Sequence, residues 1–489
     1  MSGCCESMRR GLNALRPPGA YHVGQAAGRT CGSPRGLIDD SMTKTAVNLS
    51  HLDHLGETVA RDEAVCRIVH IYCEAPHYGI VADPDEGTAC VDDAARAAIV
   101  YLRDFERSGN EQSLTKAVEL LRFIQHMQTD DGLFYNFVTN NRLEINRTHH
   151  RSVAERVDWW TCRAVWALGV GARTMAEVCP DRSASYIASA RRVLPHLRDL
   201  ARNHPTVERH DDRDWPTWLV HGDAADATSE LLLGLIALNE ASPSGELTGL
   251  IDRFAEGVAS MRLGSMNTFP YGLYASTRNG WHAWGNAQTQ ALAEAGWIDA
   301  ARAEAESFFP RLIINGLIHS IDFAHPPIVR GFERIAYGAR CVALGLLKVF
   351  EKTGEDRFAV MAGLAASWLM GNNATGVALY DPRTGRCFDA VESPEAVNRN
   401  AGAESTIEAL YTLLEIGRHP AASRWLYAVG DPPVRSRCAK TGDELHYRVF
   451  RSSGDEGGER VAVVMNLTRE TLDVRVGEEV DELLAAAGG

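Results

Sequence analysis

From residue 94 onward, apolar positions recur at helical spacing in segments that come in pairs. Within a pair the joint is about two to five residues, at 108–110, 179–182, 241–243, 296–298 and 353–355. Between pairs it is about twenty to thirty residues, at 128–157, 204–223, 262–282, 314–333 and 371–401. Helical hairpins close through short turns, whereas long loops are usually functional. First members start near Ala94, Asp158, Ala224, Ala283, Arg334 and Gly402, at intervals of 51 to 68 residues, a structural repeat with little sequence identity. Second members start near Glu111, Ser183, Gly245, Asp299 and Asp356, with a short sixth over 420–429.

Six such pairs predict a closed double ring of helices, an all-α (α/α)6 toroid. An open solenoid would repeat more uniformly and would have no reason to stop at six. Segments 94–102 and 228–238 are small and apolar, which suits an inner ring buried on most sides. Segment 183–203 alternates Arg with Leu and Ala, as an outer ring with one wet face requires. Stacked in a ring, the pairs place every long loop on one face, at the N-termini of the inner helices. A further helix is expected over 56–73, before the ring. After about residue 435, segments 444–450, 460–466 and 471–476 read as strands separated by Gly/Asp-rich turns. The expected organisation is a disordered extension over 1–45 (or a start at Met42), the toroid over 46–430, and a small antiparallel β appendage with a frayed tail over 431–489.

Composition excludes more than it selects. With 45% hydrophobic and 23% charged residues, the 489-residue chain is globular and has material for one large or two unequal domains. A net charge of −14 opposes binding to nucleic acid or to an anionic membrane surface. No apolar run reaches the length of a membrane span, and Pro17, Pro18 and Gly19 break the stretch after Arg9, Arg10 and Arg16 that a signal peptide would need. The eleven cysteines are odd in number and lack C-x-x-C spacing. They read as small buried residues in a reducing cytoplasm, not as a zinc knuckle or a disulfide framework. His210, Asp211, Asp212 and Asp214 lack regular ligand spacing and read as a solvated loop, so neither metal nor cofactor is expected.

The residues that end the long loops carry the candidate chemistry. In order they are Asp92-Asp93, Asp158-Trp159-Trp160, His221-Gly222-Asp223, Trp281-His282-Ala283-Trp284, Glu333-Arg334 and Glu404. Acids among flat aromatic faces suit carbohydrate: sugar C–H faces stack on Trp and Tyr, and hydroxyls take hydrogen bonds from polar groups. Glycosidic cleavage needs one protonated and one ionised carboxyl group. Singly, each acid is equally at home as a helix N-cap or first-turn residue; the functional reading rests on their convergence. A helix N-terminus lowers a carboxylate's pKa, which gives Asp93 a base-like role. Asp92 and Asp93 lie about 100° apart on a helix, so one is expected to cap and the other to face the cavity. The general acid should sit where burial opposes ionisation; Glu404 and Asp158 are the candidates, with Glu404 favoured. Arg96, Tyr135, Trp159, Trp160, His221, Asp223, Trp281, Trp284 and Asn400 are the expected substrate-binding residues.

Two strings, Asp92-Asp93-Ala94-Ala95-Arg96 and Asn398-Arg399-Asn400-Ala401-Gly402-Ala403-Glu404-Ser405-Thr406, carry a resemblance, together with Leu49-Ser50-His51-Leu52, Asp131-Gly132, Arg163-Ala164-Val165-Trp166 and Tyr380-Asp381-Pro382. Over about residues 49–417 the chain resembles the six-hairpin glycosidase superfamily, and most of all a bacterial glycosidase-like group found beside, or fused to, retaining glycosyltransferases. The resemblance implies the toroid, an oligo- or polysaccharide substrate and a glycosyltransferase as partner, but no settled reaction. The chain departs from the group at Arg156-Val157-Asp158, where a Glu-Asp dipeptide is usual. Other readings stay open. A sugar epimerase or uronate-cleaving enzyme of the same toroid would use His149, His150, His221, His282 or His319 as base. A glycan-binding partner of a glycosyltransferase would need no acid pair. A terpene cyclase is suggested by residues 90–94, which resemble the D-x-D-D-T-A proton donor of hopene-type cyclases with Cys90 in place of the first Asp.

Overall fold

A computed structural model describes residues 47–61, 64–452 and 458–486; the extension expected over 1–45 lies outside them. After a short helix α1 (Ser50–Leu55), the first hairpin is α2 (Val91–Ser108) and α3 (Glu111–His126). The second is α4 (Trp159–Val178) with an outer arm broken into α5 (Pro180–Arg191) and α6 (Leu194–Ala201), where Pro195 lacks the N–H that would continue the helix. The third is α7 (Ala225–Ala241) and α8 (Gly245–Ser260), and the fourth α9 (Gln288–Glu294) and α10 (Ile298–Asn315). The fifth is α11 (Ala336–Thr353) and α12 (Asp356–Ala366); the sixth pairs α13 (Ala403–Ile416) with the single turn α14 (Pro420–Ser423).

The first members form a closed ring, because each of α2, α4, α7, α9, α11 and α13 packs on the next and α13 packs back on α2. The outer arms lie against them. Small residues set the closest approach: a Cβ on Gly169 of α4 would fall 2.5 Å from the Gly234 carbonyl oxygen of α7. The hairpin joints at Gly109 and Gly354 take left-handed backbone (φ 71° and 72°), which closes α2 and α11 at little cost for glycine.

Three sequence expectations change. Residues 56–69 are an antiparallel hairpin, Gly56–Arg61 with Ala64–Val69, not a helix. Its β-branched Val59, Val65, Ile68 and Val69 suit a pleated surface, and the second strand packs on α3. The fourth and fifth inner helices start later than Ala283 and Arg334, because Gly280–His282 pairs with Ser320–Asp322 and Arg334–Ile335 pairs with Ala390–Val391. Ala485 and Ala486, where fraying was expected, belong to helix α15 (Glu478–Ala486), and residues 487–489 lie outside the described residues.

The long loops share one face and are tied together there by short ladders, such as Ala89–Cys90 with Phe137–Val138. The opposite mouth is closed by charge, with Arg103 on Glu415 at 3.3 Å and Lys348 on Glu351 at 2.5 Å. The C-terminal sheet is antiparallel, with Glu444–Arg451 and Arg460–Asn466 at its centre and Thr471–Val476 at one edge. Strand alternation gives it two buried faces: Val461, Val463 and Met465 join the ring's core, while Ala462 and Val464 pack with Val480 and Leu483 of α15. Among the described residues no helix is long and apolar enough to cross a membrane.

Candidate active site

A cavity of about 700 Å³ opens on the long-loop face, and the start of every inner helix contributes to its wall. Cys90, Asp92, Asp93 and Arg96 come from the start of α2, Asp158 to Trp160 and Arg163 from that of α4, His221 from before α7, Trp284 from before α9, Glu333 and Ile335 to Tyr337 from the start of α11, and Asn398, Gly402, Glu404 and Ser405 from that of α13. The alternation of short and long joints therefore locates the site.

Below the cavity the ring axis is filled by charge. Arg96 pairs with Asp93 at 2.7 Å, Glu408 at 2.7 Å and Glu404 at 3.3 Å. Arg163 pairs with Asp92 at 2.9 Å and Glu230 at 2.8 Å, and donates to the Tyr337 hydroxyl at 2.9 Å. Arg340 joins Glu230 at 2.9 Å to Glu408 at 2.7 Å, and the Tyr337 hydroxyl donates to Glu230. Glu230 and Arg340 have no solvent exposure. Burial alone would raise the Glu230 carboxyl, but Arg163 and Arg340 outweigh it and hold it down at about 2. Glu230, Tyr337, Arg340 and Glu408 were given no role by sequence reasoning, and Arg163 entered only through a string that carries the resemblance. Their signal was a charge inside an otherwise apolar inner helix, which has to be paired when buried.

Glu404 reaches upward from this network. It stands in the first turn of α13, whose N-terminus is capped from outside: Asp389 accepts from the Gly402 N–H at 2.9 Å and the Ser405 hydroxyl at 2.6 Å. Its side chain is 47% exposed within the cavity. Its carboxyl is raised, first by desolvation and then by the negative charges of Asp93 and Glu408, which together outweigh Arg96. That is the state a proton donor needs.

Asp158 is the opposite case. It is the N-cap of α4 and accepts from the Trp159 N–H at 2.9 Å, from Arg156 at 3.3 Å and from His221 Nε2 at 3.2 Å. Burial opposes its ionisation, but these hydrogen bonds, His221's first, hold it below the usual carboxylate range. Asp158 therefore fits an ionised partner, not the proton donor it was weighed as.

Asp93 is under opposed influences. Burial raises its carboxyl against the pull of Arg96, where the helix dipole was expected to leave it ionised. Neither Asp92 nor Asp93 caps α2. Cys90 does, its sulfur accepting from the Asp93 N–H at 3.4 Å and its thiol donating to Asp93 Oδ2 at 3.2 Å. Asp92 is fixed by Arg163 and by the Asn136 side-chain amide at 3.1 Å.

The aromatics divide. Trp159, Trp160 and Trp284 line the cavity. Trp284 stacks on His282 with centroids 4.0 Å apart, and Arg163 lies 4.8 Å over Trp159. Gly285 makes room for Trp159, since a Cβ there would fall 2.5 Å from the indole. Four expected binding residues lie outside the wall. Trp281 packs on Phe308 in the core, Tyr135 lies under Arg147, Asp223 holds Arg278, and Asn400 accepts from the Ala75 N–H at 3.0 Å. All four are fixed by packing or by loop contacts that a sequence does not display. Asp389 and Arg151 are wall residues that went unpredicted, while Glu333 and His150, both weighed from the sequence, also line it.

No family model matches the chain, and no curated protein matches it in sequence. Solved structures share its fold. A cellobiose 2-epimerase from Bacillus thermoamylovorans B4167 superposes with a TM-score of 0.56 at 11% identity, over 78% of this chain and 98% of that one. A sugar epimerase from a ruminal bacterium gives 0.55 at 11% identity, over 78% and 99%. A D-mannose isomerase gives 0.54 at 9% identity, over 79% and 100%. The fold is thus one shared with enzymes that act on sugars.

Proposed function

We propose that this protein is a carbohydrate-active enzyme that cleaves glycosidic bonds, with Glu404 as proton donor and Asp158 as its ionised partner. The observation that carries the reading is the divergence of these two wall carboxyls: one is pushed up by burial and neighbouring acids, the other held down by hydrogen bonds. Such divergence assigns acid and base in carboxylate-pair catalysis. Glu404 would protonate the leaving oxygen. Asp158, oriented by His221, would activate water or attack the anomeric carbon. Trp159 and Trp284 supply faces on which a sugar ring stacks. Substituting Glu404→Gln or Asp158→Asn should each lower turnover of α- or β-linked manno- or gluco-oligosaccharides by about 10²- to 10⁴-fold. Undiminished turnover in both variants would sink the assignment.

The hydrogen bond between His221 and Asp158 favours a second reading, epimerisation or isomerisation of a reducing sugar, with His221 as the base that removes a proton beside the carbonyl. The fold's likeness to sugar epimerases and an isomerase supports it. Reaction in heavy water separates the two. Proton abstraction places deuterium on carbon in the recovered sugar, whereas hydrolysis leaves the carbon-bound hydrogens in place and releases a new reducing end.

A further inference from the structure

The cations on the cavity wall are already spoken for. Arg96 is held by Asp93, Glu404 and Glu408, and Arg163 by Asp92 and Glu230. Arg151 is paired with Glu86, and Arg156 with Asp158 at 3.3 Å. No lysine lines the wall. Two further wall carboxyls, Glu333 and Asp389, have no cation partner among the described residues. Seven carboxyl groups (Glu86, Asp92, Asp93, Asp158, Glu333, Asp389 and Glu404) thus line the wall against four guanidiniums (Arg96, Arg151, Arg156 and Arg163), and Glu230 and Glu408 lie beneath them with Arg340.

Recognition of a carboxylate or phosphate in a partly enclosed site needs an uncommitted donor with positive charge, usually arginine. Among the described residues this cavity offers no uncommitted guanidinium or ammonium group. Seating an anion there would break an existing pair or leave a charge facing like charge, and either is costly. Hydroxyl groups carry no such penalty, because the paired carboxylates keep free lone pairs for them. A protonated amine would be drawn in by Glu333 and Asp389.

Resting on the carbohydrate reading above, we propose that the sugar bound in this cavity is uncharged or carries an amine, and that uronic acids and sugar phosphates are excluded. The proposal deepens the function by substrate class: neutral hexosides or amino sugars, not uronides.

The test uses the full chain and three matched sets, methyl glycosides of glucose, galactose and mannose. Each is offered in neutral form, as the C6 uronate and as the 2-amino-2-deoxy sugar, and calorimetry at low salt reads the affinities. At least one neutral or amino member should bind, and its matched uronate should bind at least about tenfold more weakly, as like-charge juxtaposition demands. Raising the salt should weaken the amino sugar selectively. A uronate that binds as tightly as its neutral match overturns the proposal and leaves the carbohydrate reading standing. If no member of any set binds, the carbohydrate reading falls and takes this inference with it.

Discussion

Glu304 gives a pH dependence of stability whose size can be worked from the structure. It sits on α10, buried against α9, with one oxygen accepting from the Tyr274 N–H at 2.7 Å and the other from the Thr289 hydroxyl at 2.6 Å. No cation pairs with it among the described residues, and desolvation outweighs both hydrogen bonds, raising its carboxyl from 4.5 to about 7. Between those pH values the folded chain holds a proton that the unfolded chain releases. Stability therefore falls as pH rises through this window and stays lowered above it. At roughly 1.4 kcal/mol per pH unit, the loss is about 3 kcal/mol. Glu304→Gln keeps an acceptor for Tyr274 and cannot ionise. Urea unfolding of both proteins at pH 4.5 and pH 8 gives a double difference from which all other titrating groups cancel. The variant should gain about 3 kcal/mol relative to wild type on going to pH 8. A double difference within about 0.5 kcal/mol of zero, the scatter of an ordinary surface change, would refute the assignment of Glu304 as an uncompensated buried acid.

Other consequences reach the site. Glu408→Gln removes a negative neighbour of Glu404 and frees the Arg96 Nη1 to pair with Glu404 alone, its Nη2 staying on Asp93. The alkaline limb of the kcat/KM profile should move down by about one pH unit; an unmoved limb means that Glu408 does not tune the acid. Arg340→Met strands Glu230 and Glu408 in the axis and should cost about 3–5 kcal/mol by denaturant unfolding, whereas a loss under about 1 kcal/mol would show that water replaces the guanidinium. Trp284→Ala should raise KM about tenfold with kcat little changed. A fall in kcat alone would instead place Trp284 in transition-state binding.

How much was legible follows from what each signal depends on. The ring and its loop face were readable because helical periodicity and joint length are local, and six repeats reinforce one another. Residues 56–69 were misread because a short apolar run suits either a helix or a strand, and packing on α3 decides. Within the site, Glu404 and Asp158 were found from their place at the start of α13 and α4. Their titration was half legible. The dipole rule holds for neither Asp93 nor Glu404, because desolvation in the axis exceeds what a helix terminus contributes. Asp389 was invisible for a different reason: it acts on α13 from earlier in the same long loop, thirteen residues before the Gly402 N–H from which it accepts.

The charged filling of the axis is not required for stability. Well-packed apolar residues of similar volume often replace a buried ion-pair network with no loss, and sometimes with a gain. Six inner helices rich in alanine and glycine could close on leucine. What leucine could not do is hold a guanidinium 3.3 Å from Glu404 while Glu408 draws the same nitrogen to 2.7 Å. This sharing leaves Arg96 close enough to fix the Glu404 side chain and too committed to strip its proton. The same network ties Asp92 to Arg163, and Arg163 through Glu230 to Arg340 and back to Glu408. Five of the six inner helices are thereby locked in register around one carboxyl group, and small shifts of any one of them would change its protonation.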